Sequence, residues 1–198
     1  MNSTSKRTYG ACLALTLVLV QFGALRLSPS ASVVRVVLPL TIAAVPVALW
    51  PYRRRLGTCI MFVGLAANLA VILANGGLMP IERSTIVSAI GAERAATYRT
   101  GAWVPGSKDV LVAAGGGRAI ALGDSIRIGS GRRGLVASPG DIVVWAGLLV
   151  LAAEASVAWQ RDRRREQNLT NEARADRTAE GGATTVWRAT PPPSGDPR

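Results

Sequence analysis

Polar side chains that stand inside apolar sequence are the natural places to look for chemistry, because each is costly to bury. Gln21, Asn68 and Glu154 each lie within a long apolar run. Asn68 and Asn75 are seven residues apart, which places both on one face of a helix, and Gly64 shares that face. A small residue beside an amide suits a close helix–helix contact, with Asn68 as interhelical hydrogen-bonding glue. Glu154 is near enough to a span end to snorkel, or to pair with Arg53–Arg55 or Arg161. Two further acids sit in motif-like surroundings: Asp124 in Leu122-Gly123-Asp124 and Asp141 in Ser138-Pro139-Gly140-Asp141. Such a pair could work as acid and base or bind a metal, but a third ligand is not in view, and no metal or cofactor is expected.

Other chemistries are excluded by what the chain lacks. It has no histidine, so Ser-His-Asp triads, Cys-His pairs and His-ligated zinc or haem do not apply. Cys12 and Cys59 make neither a disulfide framework nor a metal cluster, and each is expected to pack as a small hydrophobe. Three short matches are set aside. Gly123-Asp124-Ser125 echoes an acyl-carrier attachment serine without the soluble bundle it needs. Gly140-Asp141-Ile142-Val143-Val144 echoes a signal-peptidase strand, whose Ser-Lys chemistry needs a base lysine after a Ser-Met pair. Lys108 is the sole lysine of the surrounding loop, and no such pair precedes it. Gly115-Gly116-Gly117 lacks the Lys-Ser/Thr of a phosphate loop.

The elements that must position these residues follow from where charge is missing. Thr8 to Leu25 is 18 residues without a charge, Val36 to Tyr52 is 17, Leu56 to Ile81 is 26, and Ile142 to Gln160 is 19 broken only by Glu154. A bilayer core of ~30 Å needs ~20 apolar residues of helix. The expected fold is an all-α membrane protein with four transmembrane helices, at about 8–27, 34–52, 56–78 and 141–160. These form a membrane domain over residues 1–160 with an irregular, partly β-prone outer loop at 79–140. A disordered cytoplasmic tail at 161–198 follows, in which Gln160 to Arg177 continues the fourth helix. Lys6, Arg7 and Ser28-Pro29-Ser30-Ala31-Ser32 also outline a secretory signal peptide, but the long apolar stretch and Arg26 favour a retained helix.

Orientation follows from the basic clusters. Lys6 and Arg7, Arg53–Arg55, and Arg161 with Arg163–Arg165 all face the cytoplasm if both termini are inside. Tyr9, Trp50, Tyr52 and Trp159 then fall at cytoplasmic edges, and the plasma (inner) membrane is the expected location. Within the outer loop, Pro80 to Tyr98 reads as a short amphipathic helix. Gly101 to Gly140 reads as β-prone runs (Asp109–Ala114, Ala119–Leu122, Ser125–Ile128) broken by Gly115-Gly116-Gly117 and Gly129-Ser130-Gly131, hairpin pieces without a core of their own.

The motifs add up to more in order than singly. Asn75-Gly76-Gly77-Leu78-Met79-Pro80 ends the third span, Leu122-Gly123-Asp124 follows in the loop, and Ser138-Pro139-Gly140-Asp141 opens the fourth. Over roughly residues 33–160 this resembles an uncharacterised bacterial family of small multi-pass membrane proteins, classed as a domain of unknown function. Its members share N-G-G-x-M-P, L-G-D and S-x-G-D motifs and often carry five spans, where four are read here. The resemblance implies the architecture and no reaction.

Physically, Asn75-Gly76-Gly77 reads as a helix C-terminus and Ser138 as an N-cap, with Asp141 in the first turn. Asp124 has no local partner. The expectation is that Asp124, Asn75 and Asp141 meet at the outer mouth of the bundle, as a latch for the loop or as a site for a cation or small ligand. Three functions compete: a non-enzymatic envelope accessory or scaffold, a small transporter or ligand-binding protein acting as an oligomer, and a membrane-surface enzyme using Asp124 and Asp141. The expected partners are the lipid bilayer and another membrane protein or a second copy. The net charge of +11 is spread along the chain beside 49% hydrophobic residues, so no nucleic acid is expected.

Overall fold

The computed structural model describes residues 3–27, 30–129 and 135–186, with side chains over 8–27, 30–129 and 136–172. The elements run α1 (Ser3–Leu27), α2 (Ala31–Ala48), a 3-10 turn (Trp50–Tyr52), α3 (Leu56–Ala74), β1 (Met79–Glu82), α4 (Arg83–Ile90), α5 (Ala92–Ala96), β2 (Asp109–Val112), a 3-10 turn (Ile120–Leu122), β3 (Ile126–Ile128), β4 (Leu135–Ala137) and α6 (Pro139–Val186). Among the described residues, four helices are long and apolar enough to cross a membrane: Thr8–Leu27, Ala31–Ala48, Leu56–Ala74 and a stretch within Pro139–Glu172. The chain divides into two units, Met1–Ala152 and Ala153–Arg198.

In the first unit the helices are brought together by small residues. Gly57 and Gly64 are one heptad apart on α3, and Gly140 and Gly147 one heptad apart on α6. A Cβ on Gly64 would stand 2.6 Å from the Gly140 carbonyl, and one on Gly147 would stand 2.6 Å from the Met61 nitrogen. The two backbones thus touch along an antiparallel crossing, the geometry that small residues allow between membrane helices. Van der Waals packing completes the bundle. Val34, Leu38 and Ile42 of α2 bury against Val71 and Ile72 of α3, and Leu78, Met79 and Val110 close that cluster from above. Thr41 of α2 donates to Gln21 Oε1 of α1 at 3.2 Å, so one of the polar residues in the spans is answered across a helix pair.

Residues 79–129 and 135–137 form a folded cap. Pro80 to Tyr98 is not one helix, since Met79–Glu82 is a strand and the helix begins at Arg83. The strand exists because it has a partner far along the chain: β1 pairs in parallel with β2, Met79 opposite Asp109 and Ile81 opposite Leu111. A parallel pair needs a crossover, and α4 and α5 supply it. Ile81, Ile86, Ala95, Val104 and Leu111 bury between these elements, so the loop does carry a small core of its own. Arg83 ties the crossover down, donating to the carbonyls of Ala95 and Tyr98 at 3.1 and 2.9 Å. β3 and β4 form the expected kind of hairpin, antiparallel with Ile126 opposite Ala137. Ala119–Leu122 is a 3-10 turn rather than a strand, reached through Ala119 at φ 53°.

Cys12 and Cys59 are exposed, not packed inside, because each lies on an outward face of its apolar helix. In the second unit α6 continues to Val186, beyond Arg177, with no proline before Pro191 to end it. Arg163 stacks over Trp159 at 4.1 Å from the ring centroid. The expected turn at Gly129-Ser130-Gly131, the basic pair Lys6 and Arg7, and the expected tail disorder over 187–198 fall wholly or partly outside the described residues.

The glycine crossing sets a clear expectation. A Cβ on Gly140 would overlap the Asn68 side chain, whereas one on Gly23 meets nothing within 4 Å. Gly140→Ala should lower thermal stability in detergent by about 1–3 kcal/mol, the usual cost of overpacking, and Gly23→Ala should be neutral. Equal melting temperatures for the two variants would disprove the close crossing.

Candidate functional site

The site starts from three pieces of local structure. α3 ends in a Schellman motif: Gly77 N–H donates to the Ile72 carbonyl at 2.8 Å and Gly76 N–H to Leu73 at 3.4 Å, with Gly76 at φ 73°. This turn sends Leu78 and Met79 back under the cap. Gly77 leaves no room for a side chain, since Arg35 Cα stands 3.0 Å from where its Cβ would be. Next, Gly123 packs on Pro80, and the following Asp124 N–H donates to the Pro80 carbonyl at 3.1 Å. That bond adds Asp124 to the edge of β1 beside Ile81. Last, α6 opens with a reciprocal cap. Asp141 N–H donates to Ser138 Oγ at 3.0 Å, and Ser138 N–H donates to Asp141 Oδ2 at 3.1 Å, with Pro139 at the first helical position.

These pieces converge on a residue that the motifs do not contain. Lys108 Nζ lies 2.6 Å from Asp141 Oδ2 and 3.1 Å from Asp124 Oδ1. The lysine is placed by the sheet, since Met79 N–H donates to its carbonyl at 2.9 Å. Asn68, in α3, donates through Nδ2 to Asp141 Oδ1 at 2.7 Å and accepts from Ser138 Oγ at 2.9 Å. Asp109 follows Lys108 directly and is buried, near enough to Asp124 for the two carboxyls to interact. One ammonium and three carboxylates are therefore gathered from Lys108 and the start of β2, the segment after Ile120–Leu122, and α6. The Asp124 side chain is only 2% exposed and that of Lys108 19%.

The electrostatics follow from burial and excess negative charge. Burial alone would lower the Lys108 pKa, but Asp124, Asp141 and Asp109 outweigh it and hold the ammonium above its ordinary value. Burial, then the adjacent Asp124 carboxyl, pushes Asp109 well above the ordinary carboxylate range. Burial pushes Asp124 up as well, against the pull of Lys108. A carboxyl buried beside another resists ionisation, since burial and the neighbouring negative charge both disfavour its charged form. The arrangement is thus an ion-paired lock: Lys108 joins cap to helix, and the surplus of carboxyls favours the neutral form of Asp109. Among the described residues, no group of three His, Cys, Asp or Glu side chains is placed to hold a metal ion.

Of the sequence-predicted residues, the structure brings together Asn68, Asp124, Ser138, Gly140 and Asp141, with Met79, Pro80 and Gly123 as backbone supports. Asn75 is not among them. It sits at the end of α3 and clamps a different part of the cap, accepting from Arg118 N–H at 2.9 Å and donating to the Arg118 carbonyl at 2.8 Å. Gly76 and Gly77 shape the turn, and Leu122 is an exposed residue of the 3-10 turn. Lys108 and Asp109 escaped the sequence reading. The available signal was a lone lysine in an arginine-rich loop, next to an acid at the start of an apolar β-prone run.

A family model described as a family of unknown function matches residues 8–153. No curated protein and no solved structure matches the chain.

Two outcomes test the lock. Lys108→Met strands buried carboxylates and should cost about 3 kcal/mol or more of stability, read as a drop in melting temperature; an unchanged melting temperature would sink the lock. The pH dependence has a definite sign. A carboxyl whose folded pKa is raised contributes stability that is present below its unfolded value, about 3.9, and lost as pH rises through the folded value. Stability of the native chain should therefore decline as pH rises above about 4, and Asp109→Asn should flatten that decline. A native curve that instead rises over this range contradicts the raised carboxyls.

Proposed function

This chain belongs to the family of unknown function DUF5317, and from that premise we propose that it is a non-enzymatic accessory protein of a bacterial inner membrane. It crosses the bilayer four times and holds a folded outer cap in fixed register as a docking scaffold for another envelope protein. The observation that carries this reading is the Lys108 bridge from Asp124 in the cap to Asp141 in the first turn of α6. With the Asn75–Arg118 clamp it ties the cap to the helices at two separate points. A cap held this way keeps one shape, which suits a binding surface.

The three motifs fit as the family's signature, because each supplies backbone or side chain to this joint. The basic clusters support an orientation with both termini in the cytoplasm and the cap outside. Arg53 stacked over Trp50 at 4.9 Å resembles an interfacial anchor at the turn between α2 and α3. An acid–base enzyme is the weaker reading: Asp124 and Asp141 share one ammonium, and the Asp124 side chain is closed to substrate.

Alkaline phosphatase fused after Ala113 should be active, and an inactive fusion would overturn the orientation. A photo-crosslinking residue at the exposed Arg94 should give a discrete adduct in native membranes. That adduct should be lost in Lys108→Met at matched protein level. An adduct indifferent to Lys108 would overturn the scaffold reading, and one of twice the chain mass would identify a second copy as the partner.

A further inference from the structure

The far end of the first unit from the cap carries a different chemistry. α2 and α3, both long and apolar enough to cross a membrane, are joined by residues 49–55 alone. So short a turn between two spans lies at a bilayer surface, whichever side that surface faces. The turn is closely held. Tyr52 N–H donates to the Leu49 carbonyl at 2.9 Å, Arg53 N–H to Trp50 at 3.1 Å and Arg55 N–H to Tyr52 at 2.8 Å. Cys59 Sγ donates to the Arg53 carbonyl at 3.1 Å. α1 packs on the turn at Gly10, where a Cβ would stand 3.5 Å from the Pro51 side chain.

Three arginines stand on this fixed backbone: Arg53, Arg54 and Arg55. Arg53 lies over the Trp50 ring, 4.9 Å from its centroid, and gives one N–H to the Trp50 carbonyl at 3.3 Å. Its guanidinium is therefore ordered in advance, with most of its five N–H groups unspent. Arg54 is exposed and Arg55 half-buried. The acids of the first unit are Glu82, Glu93, Asp109, Asp124 and Asp141, all in the cap or at the head of α6. Asp141 meets α3 at Asn68, ~18 Å along the helix from Leu56, and the first turn of α3 holds no acid. The unit thus gathers three cations at one membrane surface and keeps its carboxylates at the other. The second unit uses the same pairing at the exit of its own apolar stretch, with Arg163 over Trp159.

The chemistry that answers three guanidinium groups is a phosphate, which their N–H forks match bidentately. The surroundings select its source. Val47, Trp50 and Leu56 are exposed beside the arginines, an apolar flank that suits acyl chains and that a free phosphate would leave unused. A zwitterionic headgroup brings an ammonium of its own, which the arginines repel. We propose that the Trp50–Arg55 turn binds the headgroup of an anionic phospholipid, with the phosphodiester on Arg53, Arg54 and Arg55 and the chains along Val47 and Leu56. The site requires that the chain cross the bilayer. It requires neither a particular orientation nor the docking role, and no residue of the Lys108 lock takes part in it.

The test uses the full chain, stripped of lipid in neutral detergent, and reads by native mass spectrometry the lipid retained during titration. Phosphatidylglycerol should bind more tightly than phosphatidylcholine or phosphatidylethanolamine, and inorganic phosphate in large excess should not compete. Arg54→Gln with Arg55→Gln should weaken phosphatidylglycerol binding about 30-fold, and each single change about fivefold, the worth of one basic side chain near an anionic surface. Arg94→Gln with Arg99→Gln removes the same charge from exposed positions of the cap and should leave binding unchanged. Equal affinity for phosphatidylcholine would overturn the proposal. So would competition by inorganic phosphate, binding indifferent to Arg54 and Arg55, or a loss as large in the cap variant. Alkaline carbonate extraction separates the two levels: a chain released from membranes would remove the bilayer crossing and the lipid site together, whereas a retained chain without lipid preference would sink the lipid site alone.

Discussion

Burying an ammonium obliges a protein to bring acceptors to it, and Lys108 imposes that obligation on this fold. Asp124 reaches it from the segment that runs beside β1, Asp141 from the first turn of α6, and Asp109 from the next position along the chain, where β2 begins. None of these carboxylates is near in sequence to all the others. Satisfying one cation therefore sets the register of the cap on the helices and the height at which α6 begins. Ion pairs of this kind are weak evidence for stability, since desolvation offsets most of the attraction. Their effect is to penalise every other arrangement, in which the same charges would be buried and unpaired. The surplus of negative charge, with burial, disfavours the ionised form of Asp109.

The lock can close only because backbones approach unusually near. Gly140 lets α3 come close enough for Asn68 to reach both Ser138 and Asp141. Gly123 does the same for the segment carrying Asp124 against Pro80. The Schellman turn at Gly76 and Gly77 redirects the chain from α3 into β1. In lipid there is little hydrophobic drive to press helices together, so such contacts and interhelical hydrogen bonds carry the association. The glycines of the motifs are thus points of contact, and the acids beside them are what the contacts deliver.

Much of the helical architecture was legible in the sequence. Charge-free runs located all four long apolar helices, with ends displaced by a few residues: α2 is Ala31–Ala48 against an expected 34–52, and α3 is Leu56–Ala74 against 56–78. Bilayer thickness and the cost of unpaired charge act on each segment by itself, so a local pattern suffices to read them. The end of α3 at Asn75 and the start of α6 at Ser138 were legible for the same reason, as caps are made within a few residues. Asn68 beside Gly64 also declared itself through spacing.

What composition and spacing determined by themselves was a set of apolar helices, their punctuation, and a short list of polar residues too costly to be idle. Tertiary structure alone decided which of those residues meet. The strand at Met79–Glu82 exists because Asp109–Val112 lies beside it, and Asn75 clamps Arg118 because the cap folds over the end of α3. Lys108 joins Asp124 to Asp141 because a parallel pairing across some thirty residues carries it there. A hydrogen bond or an ion pair depends on distance in space, and a single chain records only distance along itself.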